Sequence, residues 1–65
     1  MIKIENEKLV DKSLATAARN YCESVNGEEI YNIAGLGEGE YRIMYWITEE
    51  GKRHMKAVIL PIPTE

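Results

Sequence analysis

The segment Tyr41-Arg42-Ile43-Met44-Tyr45-Trp46-Ile47-Thr48-Glu49-Glu50-Gly51-Lys52-Arg53-His54-Met55-Lys56-Ala57-Val58-Ile59-Leu60-Pro61-Ile62 decides the fold. Two runs rich in aromatic, β-branched and other apolar residues flank a polar break that ends in glycine, the pattern of a β-hairpin. Taking Glu49-Glu50-Gly51 as a three-residue loop, with Gly51 left-handed, pairs Thr48 with Lys52. Ile47 then lies opposite Arg53, Tyr45 opposite Met55, Ile43 opposite Ala57 and Tyr41 opposite Ile59. These residues share one face, which is apolar except for Arg53 at the loop end. The other face carries Trp46 opposite His54, Met44 opposite Lys56, Arg42 opposite Val58 and Glu40 opposite Leu60. A two-residue loop at Glu50-Gly51 instead sets Tyr45 against Lys56 and Ile47 against His54. That choice mixes polar groups into the core face, so the longer loop is the expected one. Pro61 and Pro63 lack an N–H for the ladder and are expected to end the second strand and discourage edge pairing.

The apolar hairpin face needs a partner, and the sequence supplies one upstream. At about 100° per residue, Val10, Leu14, Ala17, Ala18, Tyr21 and Val25 fall in one narrow arc, while Lys12, Thr16, Arg19 and Glu23 lie opposite. A helix over about 11–25 follows, with Asp11 as its N-cap and Asn26-Gly27 as a left-handed stop. Ile2 and Ile4 alternate with polar neighbours as in a short strand over about 1–5. Glu28 to Ala34 reads as a further strand of imperfect alternation, because Ile30, Tyr31 and Ile33 do not fall on one side. The expected fold is therefore α+β. One helix packs on one face of a small antiparallel sheet of three to four strands, at about 1–5, 29–34, 40–48 and 52–60.

At 65 residues the chain is expected to be one domain, over 1–65, with little core to spare. Small scaffolds often lean on disulfides, a metal or oligomerisation. Cys22 and His54 are single members of their types, so neither an internal disulfide nor a zinc cluster can be assembled, and no cofactor is expected. Oligomerisation is the aid left open. The first residues turn charged before any run long enough for export or for a membrane span, so a cytoplasmic setting without membrane partners is expected. With 45% apolar and 29% charged residues, the composition is that of a folded globule and not of a disordered tail. A net charge of −3 argues against coating nucleic acid through the overall field, and leaves only a local basic stripe for that purpose.

Catalytic readings fail one at a time. Gly35-Leu36-Gly37-Glu38-Gly39 resembles a phosphate cradle only in its glycines, since a strand and not a helix follows it and Glu38 and Glu40 would repel an anion. Cys22 sits beside Glu23, which raises a thiol pKa instead of activating it, and so reads as a small helix-packing residue. His54 lacks a second positioned group. Glu28-Glu29 and Glu49-Glu50 are neighbours that point apart, as solvated turns do. No enzyme is expected.

The outer hairpin face is the exception. Arg42, Met44, Trp46, His54, Lys56 and Val58 are the expected partner-binding residues, an apolar centre with a basic rim and the composition of a binding hot spot. The opposing reading is an ordinary wet sheet face, with Lys and Arg stems laid over Trp46. The function expected from this face is a small non-enzymatic interaction module of regulator or inhibitor type, binding a protein partner or a second copy of itself. The alternative is a single-stranded nucleic-acid binder in which Trp46 stacks on a base and Arg42, Lys52 and Lys56 hold phosphates.

Overall fold

The helix forms where the arc of small and apolar residues lies, and its ends are set by side chains. Asp11 accepts hydrogen bonds from the backbone N–H of Ser13 at 2.8 Å and from its hydroxyl, satisfying a donor that the first turn leaves free. At the other end Asn26 adopts a left-handed φ of 61°, and the Gly27 N–H donates to the Cys22 carbonyl at 2.7 Å. In a computed structural model, which describes residues 2–63, this helix α1 spans Lys12–Ser24. The strands are β1 (Lys3–Ile4), β2 (Glu29–Gly35), β3 (Glu40–Glu49) and β4 (Lys52–Pro61), with a short 3-10 turn at Glu7–Leu9 between β1 and α1. Met1, the first residue of the expected 1–5 strand, lies outside the described residues.

The strands form one sheet in the order β1-β2-β3-β4. The fold is α+β as expected, but the sheet is mixed: β1 and β2 are parallel, while β2–β3 and β3–β4 are antiparallel. The parallel pair follows from the helix, which crosses over between two neighbouring strands and so returns the chain in the same direction. Asn6 ties this crossover down by donating to the Asn32 side chain at 3.0 Å and to the Ile33 carbonyl at 3.1 Å. Arg19 of α1 donates to the Ile2 carbonyl at 3.2 Å and pairs with Glu7.

The imperfect alternation of β2 has a structural cause. The ladder to β3 is regular except between Ile30 and Asn32, where Tyr31 is the extra residue of a bulge. The bulge shifts the phase by one residue, so that Ile30 and Ile33, three apart in sequence, both enter the core. On β3 the alternation is strict, with Tyr41, Ile43, Tyr45 and Ile47 buried. The helix meets this surface through Ala15, Ala18 and Cys22, its most deeply buried residues, with Leu14, Ala17, Tyr21 and Val25 along the side. Small side chains at the line of contact let the helix lie close to the sheet. Tyr21 reaches β3 edge-to-face, with its ring centroid 6.0 Å from that of Tyr45.

The hairpin register differs from the expected one. Glu49 pairs with Lys52, leaving a two-residue turn in which Glu50 and Gly51 have φ of 53° and 75°. Two successive left-handed residues make a type I′ turn, whose twist matches that of the strands it joins. Tyr45 consequently faces Lys56, and Ile47 faces His54, the pairing that the pattern of polar residues argued against. The arrangement is tolerable because β4 is the outermost strand. The helix packs most closely on β2 and reaches β3, and on the helix side of β4 only Val58 and Leu60, far from the turn, pack against the core, so His54 and Lys56 are exposed. Lys56 lies 3.3 Å from Glu49 there, at a wet rim and not in a core.

Two outcomes follow. Glu50→Asn, which accepts the left-handed conformation more readily, raises stability by about 0.5–1 kcal/mol in chemical denaturation. Hydrogen bonds from Ser13 hold the Asp11 carboxyl below its ordinary pKa. Its contribution is therefore present above the unfolded-state pKa and is lost as pH falls through the lower folded-state value. Asp11→Ala lowers the melting temperature at neutral pH, and the gap to wild type closes below that titration, whereas Asp11→Asn keeps the cap at both.

Candidate functional site

With the register fixed by the type I′ turn, the residues on the uncovered side of the sheet can be assigned. On β3 they are Arg42, Met44, Trp46 and Thr48, and their β4 neighbours are Ile59, Ala57, Met55 and Arg53 in the same order. On β2, Ala34, Asn32 and Glu29 sit beside Arg42, Met44 and Trp46. Met44, Trp46 and Met55 are half-buried, and Ile59 is 55% exposed. The result is an apolar strip along the β3–β4 hairpin with an arginine near each end.

The arginines are held differently. The guanidinium of Arg53 lies over the Trp46 ring, 4.4 Å from its centroid, and within 4.0 Å of both Glu28 and Glu29. A cation–π contact at such a partly exposed place contributes about 0.5–1 kcal/mol. Arg42 is half-buried between Ala34 and Ile59, and its Nε is buried with no hydrogen-bond partner. An arginine in that state retains unused donors beside an apolar strip.

The expected partner-binding set is thus divided. Arg42, Met44 and Trp46 share the open face, whereas His54, Lys56 and Val58 lie on the helix side of β4. Their places on the open face are taken by Arg53, Met55, Ala57 and Ile59, which the longer loop would have turned inward. The signal for them was the Glu50-Gly51 dipeptide, which suits a two-residue turn once polar residues are allowed beyond the reach of the helix. The basic rim divides with them: Lys52 and Lys56 fall on the side opposite Trp46, leaving Arg42 and Arg53 beside it.

The other candidates have structural explanations. Cys22 is fully buried, and burial, with a smaller effect of the Glu23 charge, pushes its thiol pKa up, which disfavours the thiolate. Its sulfur packs where a Cβ on Gly27 would stand, only 2.1 Å away. Gly37 and Gly39 take φ of 80° and 75° in the β2–β3 connection, which the Leu36 N–H closes on the Glu40 carbonyl at 3.0 Å. Among the described residues no cluster of His, Cys, Asp or Glu is arranged to hold a metal ion, and no helix is long and apolar enough to cross a membrane. A cavity of about 940 Å³ lies between the 3-10 turn and the start of α1, floored by Ile4, Val10 and Ala15. Its charged lining carries both signs, and Arg19 within it is already engaged by Glu7 and the Ile2 carbonyl. No family model, curated protein or solved structure matches the chain.

The contact at Gly27 generates a test of packing. Gly27→Ala forces a methyl into the buried Cys22 thiol and destabilises by about 1–3 kcal/mol. Cys22→Ala removes the obstructing sulfur, so the double variant recovers part of the loss, read as a favourable coupling energy in a double-mutant cycle.

Proposed function

We propose that the chain is a small non-enzymatic interaction module, of regulator or inhibitor type, that binds a protein partner through the open β3–β4 face. One observation carries the reading. The single helix covers one side of the sheet, while Met44, Trp46, Met55, Ala57 and Ile59 line the other side with no element of the described chain over them. Tryptophan, methionine and arginine are the residue types enriched where protein interfaces concentrate their energy. Arg42 sets a half-buried cation beside the strip, and the part of its guanidinium beyond the buried Nε could engage a partner's carboxylate as water is excluded.

A nucleic-acid role draws less support from this geometry. Trp46 is the sole tryptophan and carries Arg53 on its ring, so a base would have to displace that contact before stacking.

The test is affinity capture from the native cell lysate with wild type, Trp46→Ala and Ile59→Asp in parallel, each variant first checked for folding by circular dichroism. Ile59 is exposed enough that aspartate there disturbs the face and not the core. The expected result is a protein retained by wild type and weakened by about 30-fold or more in both variants, the scale of a hot-spot residue. Equal retention by the two folded variants overturns the proposal.

A further inference from the structure

The edge of the sheet, as distinct from its face, carries information of its own. β4 is ten residues long, pairs only with β3, and has no bulge in its ladder. A two-residue hairpin turn makes Glu49 and Lys52 a hydrogen-bonded pair, and the alternation that follows aims the backbone groups of His54, Lys56, Val58 and Leu60 at β3. Two contacts support this phase. The Ile62 N–H donates to the Gly39 carbonyl at 2.8 Å, so even-numbered residues still turn towards β3 beyond the strand end. The Glu28 N–H donates to the Trp46 carbonyl at 2.8 Å, so even-numbered residues of β3 serve β2 and its odd-numbered ones serve β4. The N–H and C=O groups of Arg53, Met55, Ala57 and Ile59 therefore point away from the sheet. No backbone group among the described residues takes them up.

Natural sheets blunt such an edge with bulges, covers, charges or proline, because it is a template for another strand; β4 has no bulge, its charges sit in one half and its proline stands at the very end. The side chains say which strand. β4 is written in two halves: Lys52, Arg53, His54 and Lys56 carry its basic groups, and Ala57 to Ile62 carry no charge. Ile59 and Ile62, at 55% and 39% exposure, are among the most exposed large apolar side chains of the molecule. An antiparallel copy must oppose outward residues to outward residues, which restricts the register. Centring the pair on Lys56 sets that lysine against itself, and centring it on His54 sets Lys52 against Lys56, both unfavourable. Centring it on Met55 sets Lys56 against His54.

Centring the pair on Ala57 removes these conflicts and uses the whole of Lys52–Ile62. Ala57 then meets its own copy, Met55 meets Ile59, Arg53 meets Pro61, Lys56 meets Val58, His54 meets Leu60 and Lys52 meets Ile62. Every basic side chain faces an apolar one, over which its stem can lie with the charged end in water. Pro61 falls at an outward position, where its missing N–H costs no bond to β3 and forgoes one bond to the copy at each end of the pair, away from its centre. Arg53 also comes onto the same face as Glu40 of the copy, which pairs with Pro61 in its own hairpin.

We infer that the chain forms a twofold dimer by antiparallel β4–β4 pairing centred on Ala57, giving one continuous eight-stranded sheet with both helices on the same side. The contact is isologous, as twofold symmetry requires. It uses the strand edge and goes beyond the face-binding proposal: a monomeric chain could still bind a partner through the face.

The experiment combines solution mass with amide hydrogen exchange on the full chain. Wild type at micromolar concentration is expected at twice the 7.4 kDa of one chain. The amides of Arg53, Met55, Ala57 and Ile59 exchange slowly in this dimer. Ala57→Pro spares the bonds to β3 but blocks the centre of the edge, and is expected to halve the mass and release the odd-numbered amides while the even-numbered ones stay protected. A wild type that is monomeric throughout, a dimer whose odd-numbered amides exchange as freely as loop amides, or a folded Ala57→Pro variant that stays dimeric overturns the inference. If Ala57→Pro does not fold, the mass and exchange pattern of wild type decide. A monomeric wild type whose Ile59→Asp variant still loses a captured partner separates failure of the edge from failure of the face.

Discussion

An α-helix is about 10 Å across and strands lie about 4.8 Å apart, so one helix covers roughly two strands. This mismatch of widths governs the molecule. The four-stranded sheet has one helix, and the core forms where α1 lies over β2 and β3, from Ala15, Ala18 and Cys22 against Ile30, Ile33 and the odd-numbered residues Tyr41–Ile47 of β3. β4 lies to the side of the helix, and the ten-residue strands β3 and β4, at about 3.3 Å per residue, set the long axis of a structure that measures 37 Å by 20 Å by 18 Å. Everything outside that footprint is free to be polar on the helix side and apolar on the other side.

The same constraint explains what the sequence could and could not convey. The helix, its Asp11 cap and the burial of alternate β3 residues were legible because each rests on a local period or a local hydrogen bond. The strand beginning at Glu29 was legible, but its broken alternation could be resolved only by a bulge at Tyr31, a property of the β2–β3 pair and not of β2 alone. The hairpin phase differs from the expected one because alternation marks a core side only where another element covers the strand. Near the turn the outermost strand is not covered, and His54 and Lys56 occupy the helix side without entering the core.

That single change of phase redistributes the candidate site. Half of the expected residues, Arg42, Met44 and Trp46, belong to β3, whose orientation is fixed by the core, and they stayed on the open face. The other half belong to β4 and moved together, since shifting a strand by one residue turns all its side chains over. The apolar strip that replaced them is more continuous than the expected one, because Met55, Ala57 and Ile59 take the positions assigned to His54, Lys56 and Val58.

The close approach of Gly27 to Cys22 has a use beyond packing. A sulfur with no solvent exposure and a raised pKa reacts with an alkylating reagent only after the helix has lifted from the sheet. As the sole cysteine of the chain, it acts as an internal clock of that opening: the rate at which the thiol is consumed reports how often the core exposes itself, without any added label or altered residue.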